Sequence, residues 1–511
     1  MSSRDLFTVL ACTALFALLL YPLAGSLVDD TYIHLQYARN LAEDGDLSFN
    51  RGHPTYGATS PLWVALLSII YRMGGEIFLW CQILSWLFGI LAVRLAYRMA
   101  LELSGTRLVA AAAGLMLASE AWFVRWSAVG METSFAVFMI LATIYVALSA
   151  HRSAIRSLLF GAMLFLAILS RPEALLLVPL AVFVSIRFGP PTPGRRMEWL
   201  MIVLPLFAVW LLVIKSHTGA FMPLTAGAKQ GRLVFTAAVV RRALVPIKIM
   251  GITDVLPWCA LLVGACAGLI KHRSIFYFFE SGHETNGARR AGILLAILWV
   301  IALPVVYVLF DFQVLSRYLL PVIPPVIVLG TTALWGLVRH TGKPVRRAVI
   351  VAFLVVAVAQ NVIVYTGIVV PSTRAFSRGM KEVLVGMGEW LFENADDTAV
   401  VATPDIGAIG YVSQREILDL GGLVTPEINR MRQDTPVETI IVEGLYLRFQ
   451  PDYLVDRHET AARFGGMIIR GVRFEPVMQG TVPNLGIRKP YPVVYTLYRL
   501  IPGAEGAEGS R

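Results

Sequence analysis

The sequence predicts a mainly α-helical, polytopic membrane protein that ends in a small α/β domain outside the bilayer. Three observations lead there. The 511 residues are 57% hydrophobic and only 15% charged, whereas soluble domains carry about a quarter charged residues. Long apolar windows recur at residues 6–28, 77–103, 108–124, 129–150, 155–169, 172–188, 199–215, 253–270, 293–310, 319–338 and 348–370. They amount to about eleven spans, several near the short end of the ~17–25 residues a bilayer requires. Hydrocarbon offers no partner to open backbone groups, so the spans are helices. The third observation is that composition becomes ordinary after about residue 370.

Charge distribution orients the spans. The formal net charge of +10 would suit a nucleic-acid partner if it were gathered on one surface. Instead the basic residues alternate with the apolar windows. With the N-terminus in the cytoplasm, and residues 60–72 lying as a helix on the outer surface, the clusters fall inside. These are Arg94/Arg98/Arg107, His151/Arg152/Arg156, Arg187/Arg195/Arg196, Lys271/Arg273/Arg289/Arg290 and Arg339/Lys343/Arg346/Arg347. The partner that this charge fits is the lipid bilayer of an inner (plasma) membrane, with no nucleic acid. The expected division is a membrane part at residues 1–370, an extracytoplasmic α/β domain at 371–502 and a disordered tail at 503–511.

The outer domain reads element by element. Phe376, Met380, Leu384, Met387 and Leu391 stand at helical spacing. Strand-like runs follow at 398–402, 416–420, 452–455 and 492–500, with a helix at 437–448. The four cysteines all lie in apolar segments and show no metal-binding or disulfide spacing. Neither a Walker loop nor a GxGxxG loop occurs, so no nucleotide-phosphate cradle is encoded.

The residues that can carry chemistry cluster at the outer membrane face. Asp29 and Asp30 follow the first apolar window, where two adjacent carboxylates repel each other. They fit a general base that deprotonates a hydroxyl, or ligands for a divalent cation such as Mg or Mn beside a phosphate. They also fit an N-cap and a first-turn acid for the helix that follows. On that helix His34 lies four residues from Asp30, on the same face, with Arg39 beyond it. Glu132 stands at a helix end, and Arg171 and Glu173 make a short outer turn, either around a cavity or as ion pairs with one another. Arg317, beside Tyr318, and Lys229, in a basic outer loop, are candidate phosphate contacts: arginine offers a planar fork, lysine a point charge. Asp405 sits in a glycine-containing turn after a strand, where it can reach a sugar or simply shape the turn.

Several motifs occur in a telling order. Val28-Asp29-Asp30-Thr31-Tyr32-Ile33 is followed by Tyr37-Ala38-Arg39-Asn40-Leu41 and Tyr56-Gly57-Ala58-Thr59-Ser60-Pro61-Leu62-Trp63. Then come Gly130-Met131-Glu132-Thr133, Arg171-Pro172-Glu173, Arg317-Tyr318 and Asp405-Ile406-Gly407. From about residue 28 to 425 the chain resembles polytopic glycosyltransferases of the GT-C class, most closely the group around the mycobacterial terminal arabinofuranosyltransferases. Met222-Pro223-Leu224-Thr225 departs from the Asn-Thr that follows this proline in many relatives, and Ser60 stands where many have Asn.

The resemblance implies transfer of a sugar, arabinofuranose in that group, from a polyprenyl-phosphate donor to a hydroxyl of a cell-envelope glycan or glycolipid on the outer face. It implies Asp29 as the acidic catalytic residue, acting as the base, with Asp30 beside it, and Lys229 and Arg317 on the donor-phosphate side. His34, Arg39, Tyr56, Glu132, Arg171, Glu173, Tyr318 and Asp405 become candidate substrate contacts. A transporter or flippase is the alternative from another class, with the acidic pair binding a coupling ion. It would call for ionisable groups near mid-membrane and repeated halves, and the sequence shows neither.

Overall fold

The computed structural model describes residues 2–149, 153–189, 196–224, 238–279, 287–312, 314–483 and 492–503. The chain forms two compact units. The first comprises Met1–Ala24, Cys81–Trp210 and Gly231–Val370; the second comprises Gly25–Trp80, Leu211–Gln230 and Pro371–Arg511. The division thus departs from a linear one, because two segments read from sequence as outer loops of the membrane part join the C-terminal residues. The tail expected at 503–511 lies, after Gly503, outside the described residues.

Each apolar window is helical over most of its length. Among the described residues seven helices are long and apolar enough to cross a bilayer: Ser3–Leu23, Ile77–Ser104, Leu200–Thr218, Val255–His272, Gly287–Leu309, Ser316–Val338 and Lys343–Asn394. Arg107–Ser119 and Ala121–Ala128, bent by 54°, make an eighth if taken as one span. The remaining three of the expected eleven are short helices, Thr133–Ala147, Ala154–Ser170 and Leu177–Phe188. Apolar windows overlook backbone breaks, which is why they overcount full-length spans. Gly130 takes a left-handed φ of 72° inside the window at 129–150. A 3-10 turn at Pro172–Leu176 occupies the start of the window at 172–188.

Within the first unit small residues set the helix spacing, as they must where lipid removes the hydrophobic drive to associate. A Cβ on Gly264 would lie 2.7 Å from that of Ala333. One on Gly330 would collide with the carbonyl oxygen of Pro257. These contacts join Val255–His272 to Ser316–Val338 on facing backbones.

The second unit is built on a mixed sheet. Its strands are β1 (Val400–Thr403), β2 (Glu416–Asp419), β3 (Tyr453–His458), β4 (Ile468–Ile469), β5 (Val472–Val482) and β6 (Val493–Pro502), in the order β2-β1-β3-β6-β5-β4. The first three run parallel, and β3, β6, β5 and β4 pair antiparallel. The sequence patterns locate β1, β2, β3 and β6; β4 and β5 escape them, because β4 is only two residues long and β5 is mostly exposed. A buried core of Ala402, Leu418, Leu454, Phe474 and Tyr498 backs the sheet. Between β1 and β2 runs the short helix Gly407–Ser413, whose N-terminus therefore lies at the carboxyl end of a parallel strand.

Two N-terminal segments complete this unit. A helix is present at Pro61–Arg72, with Trp63, Val64 and Leu67 buried and Ile69 exposed. Asn50 closes the edge of β2: its side-chain N–H donates to the Ile417 carbonyl at 2.9 Å and its oxygen accepts the Ile417 N–H at 3.0 Å.

Gly330→Val should lower the thermal midpoint of the detergent-purified protein, at a cost of about 1–3 kcal/mol for forcing the two helices apart. Gly251→Ala, where a Cβ meets nothing within 4 Å, should leave the midpoint unchanged or raise it slightly. Equal melting of the two variants would contradict the close-approach account.

Candidate functional site

Asp29 is the point on which the second unit's polar groups converge. Val28 is extended (φ −127°, ψ 160°) and the helix Asp29–Glu43 begins immediately after it, with both acids in its first turn near the positive end of the dipole. The Asp29 carboxylate does not cap its own helix. It caps the helix Gly407–Ser413: Oδ2 accepts the Gly407 N–H at 3.0 Å and Oδ1 accepts the Ala408 N–H at 2.8 Å. Glycine is required at 407, since a Cβ there would fall onto the Asp29 carbonyl oxygen.

Asp405, two residues before this clamp, is itself held. Nη1 of Arg457 donates to both of its carboxylate oxygens at 2.9 Å, and the Tyr495 hydroxyl donates to Oδ2 at 2.7 Å. Arg457 and Tyr495 are directly opposed on β3 and β6 and so share a face of the sheet. Three carboxyl groups, those of Asp29, Asp30 and Asp405, lie near one another, and the cation that balances Asp405 is half-exposed. Burial, then the charge of Asp405, and also that of Asp30, push the Asp29 carboxyl up to about 7; the two backbone N–H groups act in the opposite direction. Burial and the nearby Asp405 likewise raise the Tyr495 phenol, so it remains a proton donor at neutral pH.

The other sequence candidates in this unit divide by environment. Arg39 is 6% exposed. It donates to Gln36 Oε1 at 2.5 Å and to the Tyr411 carbonyl at 3.2 Å, with its guanidinium 4.5 Å from the Tyr411 ring centroid. Here Arg39 is a strut that ties the Asp29 helix to the Gly407 helix. His34 and Tyr56 are buried, and the Tyr56 carbonyl accepts the Leu224 N–H at 2.8 Å. Lys229 lies outside the described residues.

In the first unit Glu132, Arg171, Glu173, Arg317 and Tyr318 come together from three separate stretches of sequence. The Arg171 guanidinium lies 3.8 Å from Glu132 and 3.6 Å from Glu173, and it donates to the Arg317 carbonyl at 3.1 Å. Both acid pairings read from the sequence for Arg171 are thus present at once. Tyr307 donates to Glu173 at 3.0 Å. Arg317 sits 5.4 Å from the Trp126 ring and 5.1 Å from that of Tyr318, and Trp126 is fixed by its own N–H to Ser316 at 2.8 Å. Asp311 is taken up by Arg242 at 2.8 Å. Sequence reasoning missed Arg457, Tyr495 and Tyr307. The first two lie on strands of unremarkable pattern, and the third inside an apolar helix; only pairing register and helix packing bring them to their carboxylates.

Both Asp29 oxygens accept backbone N–H groups, and both Asp405 oxygens already face a guanidinium. Among the described residues no three ligating side chains converge as a metal site.

Residues 375–504 match a family described as a domain of unknown function (DUF8728). No curated protein matches the chain. Solved structures are similar over most of its length. Apo ArnT from Cupriavidus metallidurans is 16% identical, with 97% of this chain and 98% of that one covered and a TM-score of 0.58. The same protein bound to undecaprenyl phosphate gives 15%, 96%, 97% and 0.54. The oligosaccharyltransferase AglB from Archaeoglobus fulgidus, in complex with an inhibitory peptide and a dolichol-phosphate, is 14% identical, with 89% and 70% covered and a TM-score of 0.55. At such identities the likeness is one of fold: this chain has the multi-pass membrane fold of GT-C glycosyltransferases, completed by a small C-terminal sheet domain.

Gly407→Ala should destabilise the protein by about 1–3 kcal/mol, read from its thermal midpoint, because the methyl group must displace the Asp29 backbone. Asp29→Asn should cost a similar amount, about 1–3 kcal/mol, because an amide oxygen can accept only one of the two N–H groups and its NH2 then confronts the other. Wild-type melting of both variants would remove the clamp from the account.

Proposed function

We propose that this protein is a GT-C-type glycosyltransferase that moves a sugar from a polyprenyl-phosphate donor to a hydroxyl of a cell-envelope glycan or glycolipid. Arabinofuranose is the sugar favoured by the motif resemblance. The observation that carries the reading is the Asp29 carboxylate, oriented by two backbone N–H groups and raised to about 7 by burial and its acidic neighbours. A general base is most effective with a proton affinity near working pH. The fold shared with proteins solved with undecaprenyl phosphate and dolichol-phosphate supports a lipid-linked donor.

The proposed step is a displacement. The acceptor hydroxyl gives its proton to Asp29 as its oxygen bonds to the anomeric carbon. The bond from that carbon to the phosphate oxygen breaks, and polyprenyl phosphate leaves with the electron pair. Positive charge that stabilises a departing phosphate is assigned to Arg317 and Lys229. Arg171, balanced by Glu132 and Glu173, keeps Arg317 in place through the latter's carbonyl. His34, Arg39 and Tyr56 act through the scaffold that holds the Asp29 helix. The membrane is a plasma membrane, with the N-terminus cytoplasmic and the α/β domain outside.

The test is release of polyprenyl phosphate by the purified full-length protein, offered a panel of polyprenyl-phospho-sugars and an envelope acceptor extract. One donor, expected to be the arabinofuranosyl one, should support turnover. Because Asp29 must be ionised to accept a proton, kcat/KM should rise with pH and level off above about 7. Asp29→Asn, with its residual fold checked by melting, should reduce turnover by roughly 10²–10⁴-fold. No release from any donor would overturn the transferase and leave transport, whereas release at a rate indifferent to Asp29 would overturn Asp29 as the base.

A further inference from the structure

The domain of unknown function contributes the turn that holds Asp29, and it does so through residues far from the first membrane segment. Asp405 leaves the carboxyl end of β1; Gly407 and Ala408 follow it and supply the two N–H groups of the clamp. Thr403 fixes the start of this turn: its hydroxyl donates to the Asp405 carbonyl at 3.1 Å and accepts the Asp405 N–H at 3.3 Å. Arg457 and Tyr495 then grip the Asp405 side chain from two adjacent strands. A turn two residues long cannot move while its first side chain is bonded at three points.

We propose that the Arg457–Asp405–Tyr495 bracket is a positioning element for the Asp29 carboxylate, which makes the α/β domain part of the catalytic apparatus. The proposal rests on the reading of Asp29 as the base. It assigns no substrate contact to Arg457 or Tyr495; both act through Asp405 and the backbone it anchors. The ionisable groups that act on Asp29 are Asp30 on its own helix, Asp405 on the turn and Tyr495 on β6, while Arg457 on β3 reaches it through Asp405. Positioning and electrostatics therefore act through the same residues. Removing Arg457 leaves an unbalanced negative charge beside Asp29, while removing the Asp405 charge relieves one.

The experiment uses full-length protein and two readouts, only one of which needs turnover. A hydrophobic carbodiimide adds to protonated carboxyl groups, so the mass label on the Asp29 peptide against pH reports that residue's protonation directly. In wild type the labelling should fall as pH rises through about 7. Asp405→Asn should move that midpoint down and Arg457→Met should move it up, opposite directions that general loosening of the fold would not produce. With the active donor, Tyr495→Phe and Arg457→Met should lower kcat by roughly 10²-fold while KM for the donor stays near wild type. Arg457→Lys should recover part of the loss. Unmoved labelling midpoints and wild-type kcat in variants that melt normally would overturn the bracket. If wild-type protein releases no polyprenyl phosphate while the midpoints shift as stated, the transferase reading fails and the control of Asp29 by the bracket stands.

Discussion

The hydrogen bonds from Gly407 and Ala408 to Asp29 join residues 378 and 379 positions apart in sequence, and the rest of the second unit is arranged to keep them. A helix N-terminus has several N–H groups without intrahelical partners, and a carboxylate satisfies them better than water does. Here the acid comes from another helix, so capping and tertiary docking are one event. Arg39 repeats the attachment one helical stretch further on, through the Tyr411 carbonyl and ring. Tyr32 packs edge-on against the same Tyr411 ring at 5.9 Å. Two helices are thereby pinned along their length, and the acid at their origin has a fixed direction.

That arrangement carries a chemical consequence. Two N–H groups favour an ionised Asp29, whereas burial and two more carboxylates oppose it. The balance leaves a carboxyl group able to take up a proton near neutral pH instead of a permanently charged cap. The same turn that orients the acid also brings Asp405 close enough to raise it, and Arg457 offsets part of that charge. An ion pair this exposed adds little stability by itself; its value lies in where it holds the turn.

In the first unit a different physical demand governs. Charges beside hydrocarbon are tolerated when they meet one another. Arg171 meets two acids and a carbonyl, while Arg317 rests among Trp126, Tyr318 and the Met131 sulfur. A bend after Ser119 precedes this cluster in the chain. Glu120 caps the second half of the bent pair at the Phe123 N–H, and Asn361 accepts the Ala121 N–H at 2.9 Å, so the broken helix loses few bonds. Trp126, Met131 and Glu132 follow that break directly.

The sequence by itself determined the multi-pass membrane class of the protein and singled out the acidic pair Asp29-Asp30. Low charge, recurrent apolar windows and alternating basic clusters are properties of composition and spacing, which a bilayer reads almost residue by residue. Asp29 was legible because two adjacent acids at a membrane surface are costly. Glu132, Arg171 and Glu173 were legible as a group because charges at span ends have few places to go. What only the tertiary structure decided is which partners those groups receive. Asp29 could be read as the cap of its own helix, and it caps a helix near the other end of the chain instead. Arg457 and Tyr495 carry no local signal, because their pairing arises from strand register and from the order β1-β3-β6. The count of full-length spans was decided the same way, by a left-handed Gly130 and a proline turn that hydropathy does not register. Hydrophobicity is additive along a chain and so survives in sequence; hydrogen bonds and charges act over a few ångströms, and only folding sets those distances.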